Sequence, residues 1–230
     1  MEGSDQASLY IVSTPIGNLG DITYRAVEIL RQADMVVAED TRRTRILLNH
    51  FEIRSRLSSY NSYNQEKKTS QFIDLIKQGK TLALVSDAGT PGISDPLYQL
   101  VTAAIAEEIP VWPIPGASAV LSALTVSGLP MDRFIYEGFL PRKKRRQSRL
   151  AELAEQNRTV VLYESPQRIQ KTLTEILAVF GNRQIAIARE LTKIHEEVIR
   201  GNLEEIIPRT QDKNWRGEIT LVISAASSSK

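Results

Sequence analysis

Residues 81–96 read TLALVSDAGTPGISDP, and this stretch decides the fold. Residues 81–85 form an apolar run typical of a buried strand, and a helical pattern begins at Leu97. The turn between them holds two Gly, two Pro, two Asp and two Ser. Gly lets a ligand approach the main chain, and Pro fixes the loop before anything binds. Because ligands of open α/β sheets lie at the carboxyl ends of strands, the turn is predicted to bind a small molecule.

Asp87 is the candidate ligand contact of this turn. A carboxylate at a strand end accepts hydrogen bonds from a ribose or an amine. The alternative is a helix cap, but Ser94 and Asp95 stand nearer the helix start and suit that position better. A further loop of small residues, 115–119, reads PGASA. It either admits a flat ligand or lets a helix pack closely on the sheet.

The order of apolar runs and helical patterns predicts an α/β fold with two domains. Strands and helices alternate in the first half, which indicates a mainly parallel sheet. In the second half, runs 184–188 and 197–200 are joined by a short loop and are expected to pair antiparallel, giving a mixed sheet. We predict α/β domains over residues 8–116 and 117–225, with disordered tails at 1–7 and 226–230. Asp21 is expected to cap the first helix.

The composition excludes several classes of site. The chain has 230 residues, a net charge of +2, no Cys and two distant His residues, so thiol chemistry, disulfides and a metal site are not expected. No apolar run could span a bilayer and no signal peptide pattern is present. These features favour a cytoplasmic protein that does not enter a membrane.

Clusters of basic residues are the candidates for RNA contact. Clustered positive charge attracts phosphates, although a charge run is often only a solvated helix face. The net charge of the chain is small, so two separate clusters of basic residues are not explained by overall composition. They favour a nucleic-acid contact over a solvated helix face. The predicted RNA-binding residues are Arg42, Arg43, Arg142, Lys143, Lys144, Arg145 and Arg146. In the second half, Arg189 and Glu190 follow a strand end and form either an internal salt bridge or part of a catalytic site.

Several of these segments, taken in order, resemble one known family. They are residues 13–23 (STPIGNLGDIT), 39–42 (EDTR), 86–91 (SDAGTP), 115–116 (PG), 136–141 (YEGFLP), 163–165 (YES), 188–193 (ARELTK) and 217–218 (GE). The set is similar to the bacterial ribosomal RNA small subunit methyltransferase I family, which has the tetrapyrrole methylase (class III) fold. The resemblance extends from about Leu9 to Ile223.

The resemblance implies an enzyme that uses S-adenosylmethionine to methylate a ribose 2′-oxygen of a cytidine in the decoding region of 16S rRNA, leaving S-adenosylhomocysteine. It implies a homodimer, no metal, and a cofactor in the cleft between two α/β domains. The implied cofactor-binding residues are Pro15, Asp87, Gly89, Ile93, Ser118, Ala119, Tyr163, Ala188, Gly217 and Glu218. Glu190 is the first candidate for a general base and Lys193, with a depressed pKa, the second; the alternative is that no dedicated base exists.

Two departures from the family and two other functions stay open at this point. Residues 60–64 (YNSYN) stand where family members often have His, and the chain stops at Lys230 where many members continue into a helical extension. RNA contacts are therefore expected to be fewer or supplied by a dimer partner. The alternatives are a tetrapyrrole C-methyltransferase, disfavoured by the residue 86–91 segment, and a non-catalytic rRNA-binding assembly factor.

Overall fold

A computed structural model of the chain describes residues 7–93 and 98–226. The chain divides into two compact units, Met1–Ser118 and Ala119–Lys230. The expected helix caps Ser94 and Asp95 lie outside the described residues, as do the predicted tails apart from Ala7 and Ala226.

The first unit is built on a parallel five-stranded sheet with the order β3-β2-β4-β1-β5. Its strands are β1 Leu9–Val12, β2 Met35–Ala38, β3 Arg56–Ser59, β4 Leu82–Val85 and β5 Val111–Ile114. Every residue of β4 is buried, because helices cover both faces of the sheet. The only proline within these strands, Pro113, lies on edge strand β5, where no neighbour requires its missing N–H.

Four helices cover this sheet, two on each face. They are α1 Tyr24–Gln32, α2 Thr41–His50, α3 Gln65–Lys77 and α4 Tyr98–Ala106. Apolar residues of α1 and α2 form one hydrophobic cluster with one face of the strands. Residues of α3 and α4 form a second cluster with the opposite face. This layering is the predicted α/β architecture of the first half.

Two local features of the first unit differ from the sequence-based expectation. Edge strand β3 was not predicted, because its sequence RLSS carries a single apolar residue. Asp21 does not cap α1: it lies in a short 3-10 turn, Leu19–Asp21, and Thr23 accepts the capping hydrogen bond from Ala26 N–H at 3.1 Å. Thr is also a favourable cap, and it stands next to the first helical residue.

The second unit contains a mixed sheet with the order β6-β7-β10-β8-β9. Its strands are β6 Phe134–Phe139, β7 Thr159–Glu164, β8 Gln184–Arg189, β9 Glu197–Asn202 and β10 Ile219–Ile223. Strands β6 and β7 are parallel, whereas β10 runs antiparallel to both β7 and β8. Strands β8 and β9 pair antiparallel as predicted, which confirms the mixed sheet.

Helices lie on both faces of the second sheet. They are α5 Ala119–Ser127, α6 Arg146–Ala154, α7 Ile169–Phe180 and α8 Leu203–Arg209. Helix α5 packs against β8, β9 and β10. Apolar residues of α6, α7 and α8 form one cluster with strand residues such as Leu162 and Leu221. Helix α8 was not predicted, because Pro208 inside it argues against a helix.

Candidate functional site

The parallel sheet has a topological switch point between β2 and β4. These strands are neighbours, but the chain leaves β2 towards β3 at one edge and leaves β4 towards β5 at the other. The loops at their carboxyl ends therefore diverge and leave a crevice, which is the usual ligand position in open α/β sheets. Asp40 follows β2 and Asp87 follows β4, so both carboxylates belong to this crevice.

The Asp87 side chain joins the two sides of the crevice. Its Oδ1 accepts a hydrogen bond from the Asp40 N–H at 2.9 Å. Its Oδ2 lies 3.6 Å from the Arg43 guanidinium on α2, and a quarter of the side chain remains exposed. A carboxylate has about four acceptor positions, so these two contacts leave room for another donor. These two contacts hold the Asp87 carboxylate at the crevice, and its remaining acceptor positions can take a hydrogen bond from a ligand hydroxyl.

The loops after β1 and β4 are tied together by main-chain hydrogen bonds. Thr14 and Gly89 exchange two N–H to carbonyl bonds of 2.9 and 3.0 Å. The Ser13 hydroxyl donates to Thr90 Oγ1 at 3.2 Å, beside this pair. Gly89 has φ +79, and a Cβ there would lie 3.3 Å from the Ile16 side chain. Both loops are therefore fixed by the protein itself, with Pro15 half-buried next to the tie.

The loop after β5 approaches the loop after β1 at Gly116. A Cβ at Gly116 would lie 2.9 Å from the Ser13 Cβ, so only glycine fits there. Thr90 Oγ1 also donates to the carbonyl of Ala117 at 3.4 Å. Three loops thus meet at the carboxyl end of the sheet. The small residues at 115–119 serve a role that was not among the two alternatives: they let the loop after β5 pack closely on the loops after β1 and β4.

Arg42 and Arg43 lie at the same end of the sheet, and each faces a carboxylate. Arg42 makes a bidentate contact with Asp40, with distances of 3.0 and 2.7 Å. This contact and the N–H of Arg42 lower the pKa of the Asp40 carboxyl to about 2. Both arginines remain mostly exposed, but their charge is partly compensated.

In the second unit, residues predicted to bind the cofactor lie side by side at one end of the sheet. Tyr163 on β7 and Ala188 on β8 both pair with Thr220 on β10. Registered neighbours project to the same face of a sheet, which here is the face that carries α5. Thr220 is buried between them, and sequence reasoning missed it. The only sequence signal was its polar side chain within an apolar strand.

Glu190 and Lys193 form an ion pair that secures the segment before β10. Glu190 Oε1 accepts from Lys193 Nζ at 2.8 Å and from the Glu218 N–H at 2.9 Å. Burial favours the neutral form, but these bonds outweigh it, so the pKa of the Glu190 carboxyl is lowered. Gly217 has φ +82, and a Cβ there would lie 2.2 Å from the Glu190 carboxyl carbon. Any other residue at this position would have to displace the Glu190 carboxylate from its hydrogen bonds.

The predicted depressed pKa of Lys193 is not what the structure shows. Burial favours the neutral amine, but the hydrogen bonds to Glu190 and Glu218 outweigh it and raise the pKa of Lys193. A protonated lysine cannot accept a proton, and a glutamate with a lowered pKa is a weaker base. The expected salt bridge between Arg189 and Glu190 is not the one formed: Arg189 pairs with Glu197 at 3.1 Å, and Glu190 pairs with Lys193. Both residues of the segment are therefore engaged in ion pairs with other partners.

The basic run after β6 divides into exposed and buried parts. Arg142, Lys143, Lys144 and Arg145 are exposed, as a phosphate contact requires. Arg146 is buried: it donates to Glu175 and to the Thr172 hydroxyl at 2.7 Å each. Its guanidinium compensates buried carboxylates, so it holds α6 against α7 and is not available on the surface for RNA.

Among residues 7–93 and 98–226, no group of three or more acidic or His residues is arranged to hold a metal ion. No helix of that part of the chain has the length and apolar character needed to cross a bilayer.

The profile of the tetrapyrrole (corrin/porphyrin) methylases matches residues 8–207. The chain is 50% identical over 220 residues to a ribosomal RNA small subunit methyltransferase I of Halalkalibacterium halodurans, covering 95% of this chain and 76% of that protein. It is 50% identical over 216 residues to the protein of the same name from Thermotoga maritima, covering 94% and 97%.

One solved structure with the same fold is a uroporphyrin-III C-methyltransferase of Thermus thermophilus complexed with S-adenosylhomocysteine. It has a TM-score of 0.65 and 16% identity and covers 94% of this chain and 97% of its own. At that identity the likeness establishes the fold alone. Taken with the two relatives at half identity, the conclusion is that this chain belongs to the ribosomal RNA small subunit methyltransferase I family, with the tetrapyrrole methylase fold.

Proposed function

We propose that this chain uses S-adenosylmethionine to methylate the ribose 2′-oxygen of a cytidine in the decoding region of 16S rRNA. The proposal rests on 50% sequence identity, over nearly the whole chain, to relatives named ribosomal RNA small subunit methyltransferase I. The site geometry supports a small-molecule ligand, and the exposed basic run supports an RNA substrate. We further propose that the protein acts as a cytoplasmic homodimer.

The residues at the carboxyl end of the parallel sheet fit the cofactor. Asp87 retains acceptor capacity for ribose hydroxyls, and close packing at Gly89 and Gly116 fixes the loops around it before a ligand binds. S-adenosylmethionine, when bound, supplies an electrophilic methyl group on a sulfonium. The proposed contacts from the first unit are Pro15, Asp87, Gly89, Ile93 and Ser118. Those from the second unit are Ala119, Tyr163, Ala188, Gly217 and Glu218.

The main contribution of the chain is proposed to be positioning of the ribose hydroxyl. Correct orientation of reacting groups supplies about 7–11 kcal/mol in well-oriented systems. Glu190 and Lys193 are tied to each other and to Glu218, so we assign them to holding this segment in place. The proposal therefore favours the alternative in which no dedicated general base exists. Glu190→Gln with a large loss of kcat and a shifted pH profile would restore Glu190 as the base.

The RNA contacts are proposed to come from Arg142, Lys143, Lys144 and Arg145, with smaller contributions from Arg42 and Arg43. Each phosphate contact to a single strand contributes about −0.7 to the slope of log affinity against log salt. Reversing the charge of Lys143 and Lys144 should reduce both affinity and slope. Arg158→Glu, at an exposed arginine outside the run, is the matched control. Equal effects of the two variants would assign the run to a solvated surface.

The deciding experiment is methyl transfer from labelled S-adenosylmethionine to small ribosomal subunits from cells that lack the endogenous enzyme. The modified nucleotide is then mapped. We expect label on the 2′-oxygen of one decoding-region cytidine. If the subunits are not labelled although the cofactor binds, the reaction is repeated with a tetrapyrrole as acceptor. Label on a tetrapyrrole carbon would then indicate the other enzyme, and no label on either acceptor would indicate the assembly factor.

The Asp87 assignment has a sharp test of its own. Asp87→Asn keeps an amide oxygen for the Asp40 N–H but places an NH2 donor where a ligand hydroxyl needs an acceptor. We expect calorimetric affinity for S-adenosylhomocysteine to fall at least tenfold. Arg43→Gln, which removes only the ion pair behind Asp87, should change that affinity much less. An affinity unchanged in Asp87→Asn would remove Asp87 from the cofactor site.

A further inference from the structure

Three aromatic side chains form a cluster at the end of β6 and β7. The Tyr163 ring lies 5.3 Å from the Tyr136 ring and 5.6 Å from the Phe139 ring, measured between centroids. Phe139 is 55% exposed, although it belongs to a strand. An exposed phenylalanine supported from behind by another ring is a ready surface for stacking.

A β-bulge in β6 builds this cluster. Tyr136 pairs with Val161 and Phe139 pairs with Tyr163, while the register shifts between Tyr136 and Gly138. Val161 and Tyr163 are two residues apart and share one face, so their partners Tyr136 and Phe139 share it too. Without the extra residue Glu137, residues three apart would project to opposite faces. The bulge therefore turns Phe139 to the same face as Tyr163.

The bulge itself is secured by an ion pair. Arg149 on α6 donates to both carboxylate oxygens of Glu137, at 2.6 and 2.5 Å. The Glu137 side chain is only 12% exposed. Gly138 has φ +75, a conformation that glycine adopts without strain. A bidentate ion pair and a glycine thus fix the orientation of an exposed ring.

Positive charge begins directly after the cluster. Arg142 is three residues beyond Phe139, and a chain of that length spans at most about 10 Å. Exposed Lys143, Lys144 and Arg145 follow. Aromatic rings next to a cationic stretch are the combination by which proteins bind single-stranded nucleic acid: bases stack on the rings and phosphates meet the charges.

We propose that Phe139, supported by Tyr163 and Tyr136, is a stacking platform for an unpaired base of the RNA substrate, with the adjoining phosphates on residues 142–145. The inference rests on the proposed function and adds a base contact to it. Stacking on Phe139 would hold a nucleotide of single-stranded RNA beside Tyr163, a proposed cofactor contact. The contact is apolar, so it would add affinity without changing the number of phosphates bound.

The test compares Phe139→Ala with Phe139→Trp in methyl transfer to small ribosomal subunits. We expect the alanine variant to raise KM about 5- to 100-fold, the range for loss of one base stack. The tryptophan variant should stay near the unaltered protein. Affinity for S-adenosylhomocysteine should be unchanged in both. Trp112→Ala, which removes another exposed aromatic ring from edge strand β5, is the matched control.

A second measurement detects stacking directly. A cytidine oligonucleotide with one 2-aminopurine should lose fluorescence on binding to the unaltered protein, and less so with Phe139→Ala. The salt slope should be the same for both proteins, since no phosphate contact is lost.

The outcomes separate this proposal from the one on which it rests. An unchanged KM in Phe139→Ala, or a parallel loss of cofactor affinity, would overturn the stacking platform and leave the proposed function intact. A change in oligomeric state of Phe139→Ala would assign the ring to a contact between copies and overturn it as well. No methyl transfer by the unaltered protein would overturn the proposed function and this inference with it.

Discussion

Gly217→Ala should destabilise the second unit for two separable reasons. Its φ of +82 costs an alanine about 1–2 kcal/mol. In addition, the new Cβ would lie 2.2 Å from the carboxyl carbon of Glu190 and must displace that side chain. Displacement breaks the bonds from the Glu218 N–H and Lys193, each with a net contribution of about 1 kcal/mol. The expected loss is about 3–4 kcal/mol.

A second glycine with positive φ separates the cost of displacing Glu190 from the cost of the backbone conformation. Gly128, also in the second unit, has φ +76, and nothing lies within 4 Å of a Cβ built there. Gly128→Ala therefore measures the backbone cost without a clash, about 1–2 kcal/mol. In a Glu190→Ala background, the cost of Gly217→Ala should fall to the Gly128→Ala value, because the displaced group is gone.

Urea unfolding can follow the second unit by itself. The chain has two tryptophans, and Trp112→Phe leaves Trp215, which is buried in the second unit, as the reporter. With an m value of about 2 kcal/mol/M, Gly217→Ala should lower the midpoint by about 1–2 M. Equal midpoint shifts for Gly217→Ala and Gly128→Ala, or a cost that persists without Glu190, would refute the reasoning.

The remaining predictions concern buried charge, loop contact and acid stability. Arg146→Met removes the buried cation that lies 2.7 Å from Glu175 and 3.9 Å from Glu164. Because Arg168 still pairs with Glu164 at 2.7 Å, we expect a loss of about 1–3 kcal/mol in urea unfolding, with Arg146→Lys recovering part of it. Gly116→Ala places a Cβ 2.9 Å from the Ser13 Cβ, which cannot rotate away, so we expect a lower Tm and a loss of about 1–3 kcal/mol from the first unit. The pKa of Glu190 is lowered on folding from its ordinary value of 4.5. The ionised carboxylate therefore stabilises the folded protein at pH values above about 4.5, and this contribution is lost as the pH falls through the folded pKa. Glu190→Gln should therefore flatten the acid limb of the curve of Tm against pH, and an unchanged limb would contradict the assignment.

The α/β architecture was predictable because its signals are local. The apolar run that forms β4 is followed by Gly and Pro residues. Such turn residues indicate the end of a strand wherever they occur. Edge strand β3 could not be predicted, because its sequence RLSS has no strand pattern of its own. It is a strand because it pairs with β2 at the edge of the sheet. Local propensity carries no information about that edge.

The site was predictable in its residue types and less so in their roles. Nothing in the basic run distinguishes Arg146 from its neighbours, since its burial depends on carboxylates some distance along the chain. The raised pKa of Lys193 likewise depends on Glu218, which only the pairing of β8 with β10 brings near. The bulge that turns Phe139 outward became visible only when β6 was aligned with β7.

The position of β1 between β4 and β5 has a consequence for how the protein is made. Strand β1 leaves the ribosome first, yet its nearer partner along the chain, β4, follows roughly 70 residues later. At about 5–20 residues per second, Leu9 and Val12 wait about 4–14 s for that partner. During this delay an apolar strand has no sheet to join. The first unit is therefore expected to complete its sheet only after β5, Val111–Ile114, has emerged, and β1 stays without a partner strand until β4 follows.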